Sequence, residues 1–171
     1  MSILKVNTIQ HANGTEALTV NSNGTIRQLE MPITSVRLLG AQQSISNATW
    51  TVVQFDSKDV DSHNFYDTST YTYTPTIAGW YQFNFGIYAI ATGMTALTVV
   101  LRKNGDEQQG LRGAYHPPGV STSGACNGSG ILYMNGSTDS VQVLGYSVAT
   151  SGNVFHNHTA TRLTAHLVKA D

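Results

Sequence analysis

Ala78-Gly79-Trp80-Tyr81-Gln82-Phe83-Asn84-Phe85-Gly86-Ile87-Tyr88 is the stretch whose reading decides the fold. Tyr81, Phe83, Phe85 and Ile87 fall on one side of a strand, and Gln82, Asn84 and Gly86 on the other. Successive side chains of a strand point to opposite faces, so a period of two in aromatic and β-branched residues marks a strand that buries one face. The run before it, Thr68 to Ile77, alternates Tyr71 and Tyr73 with threonine and reaches Pro75. Proline cannot donate to a ladder, which suits a strand end or corner. The pattern predicts the central strand of an all-β sandwich, with Tyr71, Tyr73, Trp80, Tyr81, Phe83 and Phe85 as packing residues.

Working outward, Thr95 to Lys103 alternates Leu97, Val99 and Leu101 inward and ends at Lys103-Asn104-Gly105-Asp106. Asn-Gly supplies the positive φ angles of a type I′ hairpin turn. Ile131 to Met134 reads as a short strand, Asn135-Gly136 as a turn and Ser140 to Val148 as the next strand. Val154-Phe155 follows, and Thr161 to Val168 closes the chain with Leu163, Ala165 and Leu167 on one side. Toward the N-terminus, Trp50 to Phe55 is expected as a strand, Asp56 to Asp67 as a polar connection, and Val36 to Leu39 as a short strand or one turn of helix. Leu111 to Gly130, rich in Gly, Pro and Ser, reads as a long loop. No segment keeps a 3.6-residue apolar period for three turns, so almost no helix is expected. Many short strands with turn signals about every ten residues indicate a sandwich or jelly roll.

Residues 1–30 read as a separate arm, and residues 31–171 as the main domain. Leu4, Val6, Ile9, Leu18 and Val20 are sparse apolar points between the turn signals Asn13-Gly14 and Asn23-Gly24. An isolated two-stranded hairpin is marginal in water. The arm is therefore expected to bind a partner surface or to wind with copies of itself.

The composition narrows the function. Charged residues make up 11% of the 171 residues, against about 25% in an ordinary soluble domain, and Thr and Ser make up about a fifth. The nine Lys and Arg are scattered and the net charge is −1. Nucleic acid and anionic membrane both need clustered cations, so neither is an expected partner. No apolar run is long enough to span a bilayer, and the first residues show no secretion signal. Cys126 is the one cysteine, which leaves no intrachain disulfide, and it reads as a small packing residue before a reactive thiol. The Asn-x-Thr/Ser triplets, Asn13 and Asn23 among them, read as turns before glycosylation sites. No Gly-x-Ser-x-Gly elbow and no phosphate-binding Gly-x-x-x-x-Gly-Lys is present, so no catalytic residue, enzyme activity or cofactor is expected. His156 and His158, two apart on a strand, are the only candidate metal ligands, with a polar rim pair as the plainer reading. Asp59 and Asp61 lack the spacing of a calcium loop, so Asp56 to Asp67 is expected to be solvated.

Tyr71-x-Tyr73-x-Pro75, Ala78-Gly79-Trp80-Tyr81-x-Phe83, Val99-x-Leu101-x-Lys103-Asn104-Gly105 and Leu132-x-Met134-Asn135-Gly136-x-x-Asp139-x-Val141-x-Val143 occur in that order. With the final apolar strand they resemble the complement globular-head family, over about residues 50–168. That resemblance implies a tumour necrosis factor-like jelly roll that assembles as a compact homotrimer, with Leu97, Leu101, Leu163, Leu167 and the aromatic residues in core or trimer contacts. The family's Gly-Asp corner is here Gly136-Ser137-Thr138-Asp139. Ser2 to Gln10, followed by Leu18-Thr19-Val20-Asn21-x-x-Gly24-Thr25-Ile26, is similar to the opening of virion structural proteins of cyanophages and other marine phages. Arm and knob together imply a non-enzymatic protein of the virion exterior. Its partners would be the major capsid protein or tail proteins, and decoration or cementing of the capsid is the leading expectation. The alternatives are a tail-fibre tip that binds a host surface glycan through Leu111 to Gly130, and a bacterial adhesin.

Overall fold

The computed structural model of the chain describes residues 6–14, 16–28, 31–156 and 159–171, with backbone alone for residues 27, 28 and 107–110. Strands, turns and loops account for all of these residues, with no helix among them. The chain divides into two compact units, Met1–Met31 and Pro32–Asp171.

The first unit is a three-stranded antiparallel meander of β1 (Thr8–Gln10), β2 (Glu16–Val20) and β3 (Ile26–Gln28), with β2 in the middle. Its second turn is built by the Asn-Gly-Thr triplet itself. The Asn23 Oδ1 accepts from the Thr25 backbone N–H at 3.1 Å and from the Thr25 hydroxyl at 2.7 Å, and the Gly24 N–H donates to the Asn21 carbonyl at 2.9 Å. Such Asx turns offer the backbone a local partner in place of a ladder. Leu18 and Val20 are half-buried, Val6 and Ile9 are exposed, and Leu4 lies outside the described residues. No side chain described within residues 6–28 is fully buried. Among its described residues the unit shows turn chemistry and ladder bonds and no buried core.

The second unit contains β4 (Ile33–Arg37), β5 (Gln43–Ser44), β6 (Thr51–Val52), β7 (Ser57–Asp61), β8 (Tyr66–Asp67), β9 (Thr72–Tyr73) and β10 (Ala78–Met94). It continues with β11 (Ala96–Lys103), β12 (Asp106–Tyr115), β13 (Ser121–Asn135), β14 (Val141–Val148), β15 (Ser151–Phe155) and β16 (Arg162–Ala170). One sheet runs β5-β15-β10-β16-β4-β7, with β13 also paired to β10. The other runs β12-β11-β14-β9-β8, with β6 also on β14. The strand expected at the centre is there. β10 pairs with β13 from Ala78↔Asn135 to Ile90↔Ser123 and with β16 from Gly79↔Ala170 to Gly86↔Arg162.

Tyr81, Phe83, Phe85, Leu97, Val99, Leu101, Leu163 and Leu167 all lie in the core between the sheets, as expected. Tyr73 lies at its aromatic centre, 5.6 Å from the Phe83 ring and 6.0 Å from the Tyr81 ring in edge-on contacts, the geometry the ring quadrupoles favour. Burial pushes the Tyr81 hydroxyl up to about 12, and that hydroxyl donates to the Ile77 carbonyl at 2.9 Å. Tyr71 packs against this core half-buried, outside any strand and with a positive φ of 56°.

Three expectations need correction. Leu111 to Gly130 is no long loop: it holds most of β12 and β13, joined at residues 116–120. Its small residues are strand positions where bulky neighbours fill the inward side. A Cβ on Gly128 would come within 2.5 Å of the Phe85 ring, and one on Gly124 within 2.6 Å of Tyr115. Trp50 to Phe55 shrinks to the two-residue β6, although Val53 and Phe55 are buried as alternation requires. Asp56 to Asp67 contributes β7 and β8 and is not a solvated loop. Trp80, expected in core or trimer contacts, is 45% exposed, because it alternates with Tyr81 and Phe83 onto the opposite face of β10 and so lies outside the core.

Both predicted corners are present. Asn104 and Gly105 have φ of 52° and 90°, the two positive values of the type I′ turn. At the altered Gly136–Asp139 corner, the Asn135 Oδ1 accepts from the backbone N–H groups of Ser137, Thr138 and Asp139, each at 3.0 Å. Asp139 in turn accepts from Lys103 at 2.8 Å and from the Asn104 amide at 2.7 Å. The longer corner is thus tied to the β11–β12 turn.

Candidate functional site: the outward face of the β10 sheet

The alternation that sends Tyr81, Phe83 and Phe85 inward presents a second set of side chains away from the core. Register fixes their rows. Trp80 is opposite Tyr133; Gln82 lies between Ile131 and His166, and His166 is opposite Ile33. Asn84 lies between Ser129 and Thr164, and Gly86 between Asn127 and Arg162, with Arg37 beyond. From Trp80 to Gly86 the face is roughly 20 Å long at about 3.3 Å per residue.

One end of this face is apolar. The Trp80 and Tyr133 rings meet edge-on at 5.6 Å. Ile131 is 50% exposed and Val168 is exposed on β16; Ile33, also exposed, lies beyond Gln82 and His166 in the same row as Ile131. A register shift between Trp80 and Tyr81 leaves Val168 as the extra residue of β16, a β-bulge that re-aims side chains at a sheet margin. The Tyr133 hydroxyl donates to Asp171 at 2.5 Å, which raises the phenol and ties the chain end to β13.

The other end is polar. A groove of about 500 Å³ is lined by Asn84, Gly86, Asn127, Ser129, Arg162 and Arg112, among others. No carboxylate is among its lining residues. Arg162 lies 3.3 Å from Asp59, which also pairs with Arg37 at 2.9 Å. Arg112 has no ion pair among the described residues, and its guanidinium sits 5.8 Å above the Trp50 ring.

The remaining candidates do not form a site. The acidic stretch is spent on structure. Asp56 accepts from the N–H groups of Leu39 at 2.7 Å and Gly40 at 2.9 Å. Asp61 accepts from Thr34, Lys58, Phe65 and Tyr66. Burial alone would raise the Asp61 carboxyl, but those donors outweigh it and hold it below its ordinary value. His156 packs edge-on against Tyr88 at 5.7 Å; His158 lies outside the described residues. No group of three or more potential metal ligands occurs among the described residues. Cys126 is buried, which pushes its thiol up to about 12 and keeps it from being a thiolate.

No protein-family model and no curated protein matches the sequence. Solved structures do match the fold. The globular domain of zebrafish complement 1qA is 20% identical, with a TM-score of 0.57, covering 83% of this chain and all of its own. Murine APRIL is 12% identical with a TM-score of 0.61, covering 81% of this chain and all of its own. An Eiger TNF from S. frugiperda is 11% identical with a TM-score of 0.63, covering 82% of this chain and 94% of its own. The chain has the TNF-like jelly-roll fold. At these identities the likeness concerns architecture alone.

Proposed function

We propose that this chain is a non-enzymatic structural protein of the exterior of a phage particle, built as a homotrimeric knob with an N-terminal attachment arm. The observation that carries the proposal is the apolar end of the outward face. Trp80, Ile131 and Val168 are exposed and Tyr133 half-buried in a single chain, with exposed Ile33 beyond Gln82 and His166 in the same row, in a knob whose sequence resembles a family of homotrimers. Contiguous exposed apolar surface rimmed by polar residues marks an association site. Copies of this chain are its occupants.

Residues 1–30 are the attachment arm, docking on the major capsid protein or on tail proteins. With no fully buried side chain described in residues 6–28, that unit has ladder edges and apolar points such as Val6, Ile9, Leu18 and Val20 to offer a partner. Strand addition would use the edges of the meander. Three arms on one knob turn weak single contacts into firm attachment. Capsid decoration or cementing is the leading form of this reading; a tail-fibre tip is the second, favoured by the polar groove.

The mass in solution of the full chain, and of a version lacking residues 1–30, tests the proposal when each is also mixed with purified capsids. Trimers of both, with capsid binding by the full chain alone, are the expected outcome. Monomers in both cases would overturn the assembly, and capsid binding that survives removal of the arm would overturn its role.

A further inference from the structure

The groove at the polar end of the outward face has the makings of a ligand site that the assembly reading does not use. Its volume, about 500 Å³, falls in the range of small-molecule sites, about 300–1,000 Å³. Its depth comes from Gly86, a buried outward position without a side chain. A Cβ there would overlap the Asn127 Oδ1 and approach the Ala160 carbonyl at 3.1 Å. The Asn127 amide therefore lies across a bare stretch of β10 backbone, and it makes no side-chain hydrogen bond to another described residue.

Charge sets the class of ligand. Arg112 and Arg162 both line the groove, and Asp59 is shared between Arg162 and Arg37. Two guanidiniums thus line the groove with no carboxylate among its lining residues, and the carboxylate paired with Arg162 is shared with Arg37 outside it. Arg112 is the unspent one. Its stack on Trp50 restricts the side chain before any ligand arrives, while its planar fork of donors stays available for a bidentate carboxylate. Around it, Asn84, Asn127, Ser129 and Thr164 supply amides and hydroxyls, which suit the vicinal hydroxyls of a sugar. A guanidinium fork takes phosphate as well as carboxylate, and it is the ring of amides and hydroxyls around Arg112 that favours a sugar acid over a bare phosphate.

We infer that this groove binds an acidic sugar, with its carboxylate on Arg112 and its hydroxyls on Asn127 and the neighbouring polar side chains. The inference stands on the groove alone and holds whether the knob decorates a capsid or tips a fibre.

Titration calorimetry of the full chain with trigalacturonate tests it, with cellotriose and inorganic phosphate as comparison ligands. Trigalacturonate is expected to bind and cellotriose to bind at least tenfold more weakly. Arg112→Gln and Asn127→Ala are each expected to weaken trigalacturonate at least tenfold; Arg112→Lys should keep part of the affinity. Both residues are exposed at a sheet margin, so unchanged melting curves are expected alongside the loss. No binding of trigalacturonate, equal binding of cellotriose, displacement by phosphate at equal concentration, or unchanged affinity in both variants would each overturn the inference. Removing residues 1–30 should leave trigalacturonate binding intact, so failure of arm-mediated capsid attachment and failure of the sugar site are read separately.

Discussion

The two ends of the outward face differ, although the same strands build both. At the Trp80 end, large apolar side chains stand beside a bulge in the ladder and are exposed or half-buried in a single chain. At the Gly86 end the side chains shrink, the backbone lies bare, and guanidiniums and amides surround a recess. Backbone geometry is common to both ends, so the division of labour rests on a few outward positions. The apolar end suits a large, dry partner surface; the polar end suits a small, hydrated, negatively charged one.

The sharpest test of this comparison sets both ends against the inward face of the same strand. Phe83 is fully buried and edge-on to Tyr73, so Phe83→Ala should cost about 3–5 kcal/mol, read from denaturant midpoints. Trp80→Ala, at an exposed ring, should cost a dissociated knob well under about 1.5 kcal/mol. Equal losses would mean that the outward face belongs to the core.

Assembly comes next in size. Buried aromatic anchors at interfaces commonly contribute about 2 kcal/mol or more each. Trp80→Asp combined with Ile131→Asp should therefore turn trimers into monomers by light scattering, with circular dichroism unchanged. Trimers that persist at micromolar concentration would place the copies elsewhere on the knob. The same double variant should leave trigalacturonate binding within about twofold, since distant sites are close to additive. A large loss would mean that the two ends are coupled through the assembly.

The inward half of this molecule was legible in the sequence because alternation is a local signal. Tyr81, Phe83 and Phe85, then Leu97, Val99 and Leu101, and finally Leu163 and Leu167 each state their face within a few residues. The Asn104-Gly105 turn states its own geometry in two. The outward half was much less legible. Trp80 carries the same aromatic signal as its neighbours, and only its odd place in the alternation says that it points the other way. Gly113, Gly124, Gly128 and Gly130 look like loop residues, yet they are small because other side chains or backbone crowd them across the fold. That crowding is long-range, and no window of sequence contains it. The groove was missed for the same reason. In the sequence Arg112 and Asn127 fall in one loop-like, glycine-rich run, whereas Asn84, Gly86 and Arg162 belong to strands far from them in sequence. The isolated cation at Arg112 in a weakly charged chain was the one available hint.

Acid should produce the smallest of these effects and separates what holds the fold from what the outward face offers. Asp61 and Asp139 are both subject to burial that raises a carboxyl, outweighed by Lys58 and Tyr66 N–H at the first and by Lys103 and Asn104 at the second. Hydrogen bonds from Ser69 and Thr70 lower Asp67 as well. All three are held below the ordinary value of 3.8 in the folded chain. The unfolded chain therefore binds more protons in the acid range, and stability rises with pH there. The stabilisation is fully present above about pH 5, declines as pH falls through 3.8, and is lost below the lowered folded values. Melting temperatures should accordingly be flat from pH 7 to about 5 and fall below 4, and Asp61→Asn should remove part of that fall. A melting temperature that drops already between pH 7 and 5 would mean that these three carboxylates are not what acid acts on.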